Sequence, residues 1–250
     1  MDLQIDSKAA TKLIIHMSAL SLALSASFFS FLLHTNRLYD LGKLNSSILL
    51  LLLLPALELL KHFYAKRAFQ LDGTVQTGPA GSVNMPTMGR THSSKTAGRL
   101  QVLKELYHSI VLLASTVLFY SFICTVLGAP VQEYEETICL ALTMTTLTVF
   151  PMLLLLGQAK TYSFLLSESV VLRCPRSHSY FNHLKQNCIG VLLGAWSASV
   201  VAPLDWDRPW QVYPIPNYVG CIIGQFGMSV YNLLNTMYIR LYRDRHSKIV

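Results

Sequence analysis

The sequence predicts an all-α, polytopic membrane protein: a bundle of six transmembrane helices with short lumenal loops. Three observations predict this class. Apolar residues make up 52% of the 250 residues and charged residues only 13%, about half the charged share of an ordinary soluble domain. The apolar residues are grouped in blocks, and most basic residues fall on one side of those blocks. The net charge of +7 is therefore interpreted as a topology signal, and no nucleic-acid partner is expected.

Six apolar blocks approach the length of about 20 residues that crosses a bilayer. They cover residues 13–33, 44–64, 106–129, 137–157, 188–204 and 218–238, of which the fifth is the shortest. Because backbone amides in lipid must be satisfied within their own segment, each block is expected to be a helix. The first block follows Lys8 and Lys12 but is longer than the core of a signal peptide, which favours an uncleaved first span.

The distribution of charge sets the predicted orientation. Of the 20 Lys and Arg residues, 17 fall at the two termini, at the end of the second block and in the connections after the second and fourth blocks, while Arg37, Lys43 and Arg208 lie on the other side. Positive charge accumulates on the cytosolic side of membrane proteins, so both termini are expected in the cytosol. Residues 71–98, rich in Gly, Thr, Ser and Met, are predicted to be a disordered cytosolic linker.

Glu58 is the one acidic residue inside an apolar block. An ionisable residue within a span is a functional candidate by default. Lys61 and His62 follow it by about one helical turn, however, and either could pair with it locally. The structural interpretation, a Glu58–Lys61 or Glu58–His62 pair, is favoured over a functional one.

Two thiols and two imidazoles precede and enter the fifth block, with the spacing C-x3-H-x4-H-x4-C. They are Cys174, His178, His183 and Cys188. Two thiolates and two imidazoles could complete a tetrahedral zinc site. The spacing does not match a common zinc finger, so ordinary loop histidines and unpaired thiols are favoured, and no metal or other cofactor is expected.

The last two blocks each carry a pair of glycines four residues apart, Gly190 with Gly194 and Gly220 with Gly224. Small residues at this spacing let helices approach closely in lipid. A tight contact between the fifth and sixth helices is therefore predicted.

The connection between these helices, residues 203–216, contains four prolines, which makes it stiff and non-helical. Its central residues are candidates for docking a partner: Asp205, Trp206, Asp207, Arg208, Pro209 and Trp210. Aromatic and arginine side chains dominate the energetics of interfaces. The alternatives are an interfacial anchor, which the amphipathic rings also suit, and a cation-binding or acid–base role for the two carboxylates.

This loop, read as PLDWDRPWQVYPI over residues 203–215 after Gly194-Ala195-Trp196, resembles the phosphatidylinositol-glycan biosynthesis class F (PIG-F) family. A second stretch is similar to the same family. Its matching residues are Leu127-Gly128-Ala129-Pro130, Glu136-Thr137, Pro151 and Leu155-Leu156-Gly157. The resemblance extends from Tyr120 to about Gly224.

The resemblance implies residence in the endoplasmic reticulum membrane and a part in assembling the glycosylphosphatidylinositol (GPI) anchor. Family members are non-catalytic partners of large ethanolamine phosphate transferases, which add phosphoethanolamine to mannoses of the anchor precursor. By this resemblance, the present chain is expected to be a stabilising subunit that is bound to the catalytic transferase and to membrane lipid.

Two other function classes stay open. One is a membrane transporter or lipid-flipping protein, against which stand the absence of repeated halves with broken helices and the near-lack of midplane charges. The other is a lipid-modifying enzyme that uses Asp205 and Asp207. The predicted lumenal loops hold one histidine, His34, and six acidic residues. These are too few ligands for a two-metal transfer site. A catalytic role of this chain is therefore not expected.

Overall fold

The computed structural model describes residues 2–35, 44–69, 71, 94–166, 172, 174–201 and 208–246, and all regular structure in these ranges is helical. The α-helices are α1 (Asp2–His34), α2 (Leu44–Phe69), α3 (Ser94–Val126), α4 (Tyr134–Leu147), α5 (Val149–Leu156), α6 (Gln158–Leu165), α7 (Pro175–Ala198) and α8 (Ile215–His246). Short 3₁₀ turns lie between α7 and α8, at Ser199–Val201 and Pro209–Gln211.

Three helical segments in the described ranges are long and apolar enough to cross a membrane. They are Lys8–His34 in α1, Gln101–Val126 in α3 and Tyr134–Leu156, which joins α4 and α5. The chain therefore has the helical, lipid-compatible character that its composition predicts. The linker predicted over residues 71–98 lies largely outside the described residues, but α3 begins within it, at Ser94.

The predicted fourth span is divided at Thr148, where α4 ends and α5 begins. The helix is interrupted there because of Pro151, three residues after Thr148. Pro151 has no N–H to offer the carbonyl of Leu147, and its ring would clash with that carbonyl in a continuous helix. The Thr148 hydroxyl also donates to the carbonyl oxygen of Met144 at 2.7 Å, beside the bond that this oxygen already accepts from the Thr148 N–H.

The fifth helix differs most from the sequence-based bounds. The apolar block covers residues 188–204, whereas α7 begins at Pro175 and ends at Ala198. Proline fits the first turn of a helix because the N–H it lacks would have no intrahelical partner there. The added N-terminal half is amphipathic, and its Tyr180, Phe181 and Leu184 are buried.

Two apolar clusters occupy the two ends of the bundle. One joins the end of α1 with α4, the end of α7 and the start of α8, through residues such as Leu32, Leu140 and Val191. The other joins the start of α1 with the end of α2, α5 and the start of α7, through residues such as Leu13 and Met152. The start of α1 meets the end of α2 in the second cluster, so these two helices run antiparallel. The end of α7 meets the start of α8 in the first cluster, so these two run antiparallel as well.

Candidate functional site

The most extensive helix–helix contact in the described part of the chain joins α7 and α8, and four glycines lie at its centre. A Cβ atom added to Gly194 would meet the carbonyl group of Gly220, and one added to Gly190 would lie 2.6 Å from the carbonyl oxygen of Gly224. The two backbones therefore touch at these four positions, which only a residue without a side chain permits.

Amide side chains hold the same helix pair on both sides of the glycines. Asn217 Nδ2, at the start of α8, donates to the Ala195 carbonyl at 3.1 Å and to Ser199 Oγ at 2.7 Å. Towards the other end, Asn232 Nδ2 donates to Asn187 Oδ1 at 3.4 Å. These bonds fix the register of α7 against α8, and hence the place where the connection between them begins and ends.

Part of that connection is described, from Arg208 onward. The Arg208 N–H donates to Gln211 Oε1 at 2.9 Å, and Gln211 Nε2 donates to the Val201 carbonyl at 3.3 Å. The Tyr213 hydroxyl bonds Thr137 Oγ1 of α4 at 3.0 Å. The second half of the loop is thus tied to the end of α7 and to α4.

The docking candidates within this half are placed at the surface. Arg208 and Pro209 are exposed, and Trp210 keeps 37% of its area exposed. Asp205, Trp206 and Asp207 lie outside the described residues. Gln211 and Asn217 are not among the predicted site residues, although an amide residue beside a proline-rich turn is a recognisable signal, because an amide that becomes buried must find partners.

Glu58 lies inside the bundle, and its partner is Lys61: the Nζ–Oε1 distance is 2.8 Å and both side chains are about 95% buried. The pair borders a cavity of about 30 Å³ that is also lined by Ser21, Ser25 and Gln225. Within the described part of the chain, the buried Ser21 hydroxyl has no hydrogen-bond partner. A cavity above roughly 10–15 Å³ with several polar neighbours can hold water, which would complete the hydrogen bonding of the pair.

The four possible zinc ligands are spread around α7. Cys174 immediately precedes the helix, His178 is exposed, and His183 is buried with its Nε2 3.2 Å from Asn187 Nδ2. A step of five residues turns a helix by about 140°, so His178, His183 and Cys188 point in different directions. Among the described residues, no group of three His, Cys, Asp or Glu side chains is arranged to hold a metal ion.

Comparison with known proteins gives a family match over most of the chain. The family model described as "GPI biosynthesis protein family Pig-F" matches residues 15–233. No solved structure matches.

Several curated proteins are similar to shorter parts of the chain. A human protein named "GPI ethanolamine phosphate transferase, stabilizing subunit" is 36% identical over 99 residues, covering 39% of this chain and 43% of its own length. The mouse protein of the same name is 33% identical over 126 residues, covering 50% of this chain and 55% of its own length. A Schizosaccharomyces pombe "PIGF/3-ketodihydrosphingosine reductase fusion protein" is 32% identical over 108 residues, 43% of this chain and 21% of its own length. The chain therefore spans about half or less of the length of these relatives.

Proposed function

Because this chain belongs to the GPI biosynthesis protein family Pig-F, we propose that it is the non-catalytic, stabilising subunit of an ethanolamine phosphate transferase complex. The complex adds phosphoethanolamine to mannoses of the GPI-anchor precursor, in the endoplasmic reticulum membrane. The observation that carries the proposal is the family match over residues 15–233, together with relatives that are named as stabilising subunits. The reacting groups then belong to the large partner, and this chain supplies membrane-embedded surface.

The proposal includes six spans with both termini in the cytosol. The antiparallel arrangement of α1 with α2 and of α7 with α8 supports an up-and-down bundle. The concentration of 17 of the 20 basic residues at the termini, at the end of the second block and in two connections supports the orientation. In this topology the connection from α7 to α8 lies on the lumenal side.

The lumenal connection, residues 203–216, is the proposed docking surface for the catalytic partner. Its second half is held by Gln211 at the end of α7 and by Tyr213 at the start of α4, so little conformational entropy is lost when a partner binds. Trp210 and Arg208 are partly or fully exposed there, and these residue types are enriched among the residues that dominate binding energy.

Removing this chain from cells is expected to lower the steady-state amount of its transferase partner severalfold. A membrane subunit that loses the surface it packs against exposes unsatisfied helix faces, and quality control then degrades it. Immunoblotting of the transferase measures the effect, with its messenger RNA level as the control for reduced synthesis. A transferase that stays abundant and fully active without this chain would contradict the proposed function.

Substitutions in the docking surface separate binding from chemistry. Trp210→Ala is expected to weaken co-purification of the transferase from mild detergent, by about 2 kcal/mol if Trp210 is a binding hot spot. Asp205→Asn combined with Asp207→Asn is expected to weaken it as well. Phe122→Ala, at an exposed position of α3, is the matched control and is expected to leave the complex intact. Loss of transfer activity in an intact complex would show instead that the two aspartates act in catalysis.

A further inference from the structure

A cleft of about 680 Å³ opens between α3, α4, α7 and the start of α8. Its floor is buried and includes Leu140, Met144 and Ala195, while the rim is formed by exposed apolar side chains, above all Leu127 and Trp196. The cleft is therefore a depression in the side of the bundle, with an apolar mouth.

The tyrosine hydroxyls and the asparagine NH2 group in its wall are engaged within the protein. The Tyr120 hydroxyl is 3.0 Å from Thr148 Oγ1, and since Thr148 donates its own hydrogen to Met144, Tyr120 is the donor. Both contacts of Asn217 Nδ2 go to α7 and the turn after it. A wall whose hydroxyl and amide donors are occupied offers little to a sugar or a phosphate, whereas an apolar group that binds there leaves none of these donors unpaired.

The size of the cleft suits a single chain of methylene groups. Its α3 wall extends from Phe119 to Leu127, a length of about 12 Å at 1.5 Å per residue. Pockets for small molecules have volumes of about 300–1,000 Å³. A partner helix, about 10–12 Å wide with its side chains, occupies roughly 1,000 Å³ over the same length, so it could insert only part of its surface, whereas the cleft can enclose an acyl chain.

We propose that the cleft binds one acyl chain of a bilayer phospholipid. Two of its walls, α3 and α4, belong to segments apolar enough to cross a membrane, and the rim residues Leu127 and Trp196 lie at the ends of α3 and α7, so an acyl chain can enter the cleft from the adjacent leaflet. An acyl chain seated there contacts the buried floor and replaces the void that the cleft would otherwise leave within the bundle. The inference depends only on these helices lying in a bilayer and is independent of the proposed transferase complex.

Photo-labelling tests this site directly. The purified full chain in detergent is irradiated with phosphatidylcholine that carries a diazirine on one acyl chain, and the labelled peptides are identified by mass spectrometry. Label is expected to concentrate on the cleft-lining residues of α3, α4 and α7. Ile123→Trp fills the cleft and is expected to lower this labelling about tenfold, because roughly two methylene groups of the acyl chain can then no longer be buried there.

Phe122→Trp is the control, because Phe122 is an exposed neighbour on α3 that does not line the cleft. A phosphatidylinositol probe is expected to label the site equally, since the proposed site contacts the acyl chain, which both lipids have in common. Label spread evenly over all exposed helix faces of the wild-type chain would overturn the proposal, whether or not Ile123→Trp folds. So would a strong preference for one headgroup, or cross-linking of the cleft to a co-purified protein instead of lipid.

Discussion

Replacing Gly194 with alanine is expected to destabilise the chain by about 1–3 kcal/mol, the usual cost of forcing an extra methyl into a packed interior. The new Cβ would meet the carbonyl of Gly220 and lie 3.0 Å from the Cα atom of Gly224. Both neighbours are backbone atoms of α8, so no side chain can move aside and the two helices must separate. Gly194→Leu is expected to prevent the folded chain from accumulating. The measurement is the melting temperature of the detergent-solubilised protein, followed by size-exclusion chromatography after heating.

Gly227 provides the matched control in the same helix pair. It lies on α8, and a Cβ added there has no atom of the described residues within 4 Å apart from the nearby backbone of its own helix. Gly227→Ala is therefore expected to leave the melting temperature unchanged or to raise it, because alanine is favoured over glycine in a helix by about 1 kcal/mol. Equal melting temperatures for the Gly194 and Gly227 variants would show that close backbone approach does not stabilise this pair.

The contrast between these two glycines shows what a sequence pattern can predict. The spacing of Gly190, Gly194, Gly220 and Gly224 is enough to predict a close contact, because small residues four apart form one helix face. The alanine tolerance of Gly227 cannot be predicted in this way. It depends on which side of α8 faces α7: Gly227 lies off that side, although Met228 and Asn232, which follow it along α8, still contact α7.

The bounds of α7 show a second limit of the sequence. A search for apolar blocks finds helices that are apolar on all faces. It therefore places the start of this helix at Cys188. The preceding residues from Pro175 are helical because one face, with Tyr180 and Leu184, packs against the start of α1 and α5. Polar residues on the other face lower the mean hydropathy of this half of the helix, so it is not recognised as an apolar block.

The ion pair between Glu58 and Lys61 of α2 is easier to predict from the sequence than the bounds of α7. Glu58 and Lys61 are one turn apart, so local helix geometry alone can bring them together. Their depth does not follow from the sequence, since a position near the end of a span also allows a lysine to reach water. The structure instead buries the pair beside Ser21 of α1 and Gln225 of α8, where removal of either charge has a large effect.

Lys61→Met is expected to destabilise the folded chain by about 3–5 kcal/mol, because it leaves the Glu58 carboxylate buried without a counter-charge. Glu58→Leu is expected to have a similar effect through the unpaired ammonium. The double variant Glu58→Leu/Lys61→Met removes both charges and is expected to recover most of the loss, since buried ion pairs replaced by apolar residues are often neutral in stability.

Lys66→Met, at an exposed position of the same helix, controls for the loss of a positive charge and should melt like the wild type. The four melting temperatures, compared with that of the wild type, form a double-mutant cycle with a control. If the double variant is as unstable as the sum of the two single variants, the two charges do not depend on each other, and Glu58 must then interact with a group other than Lys61.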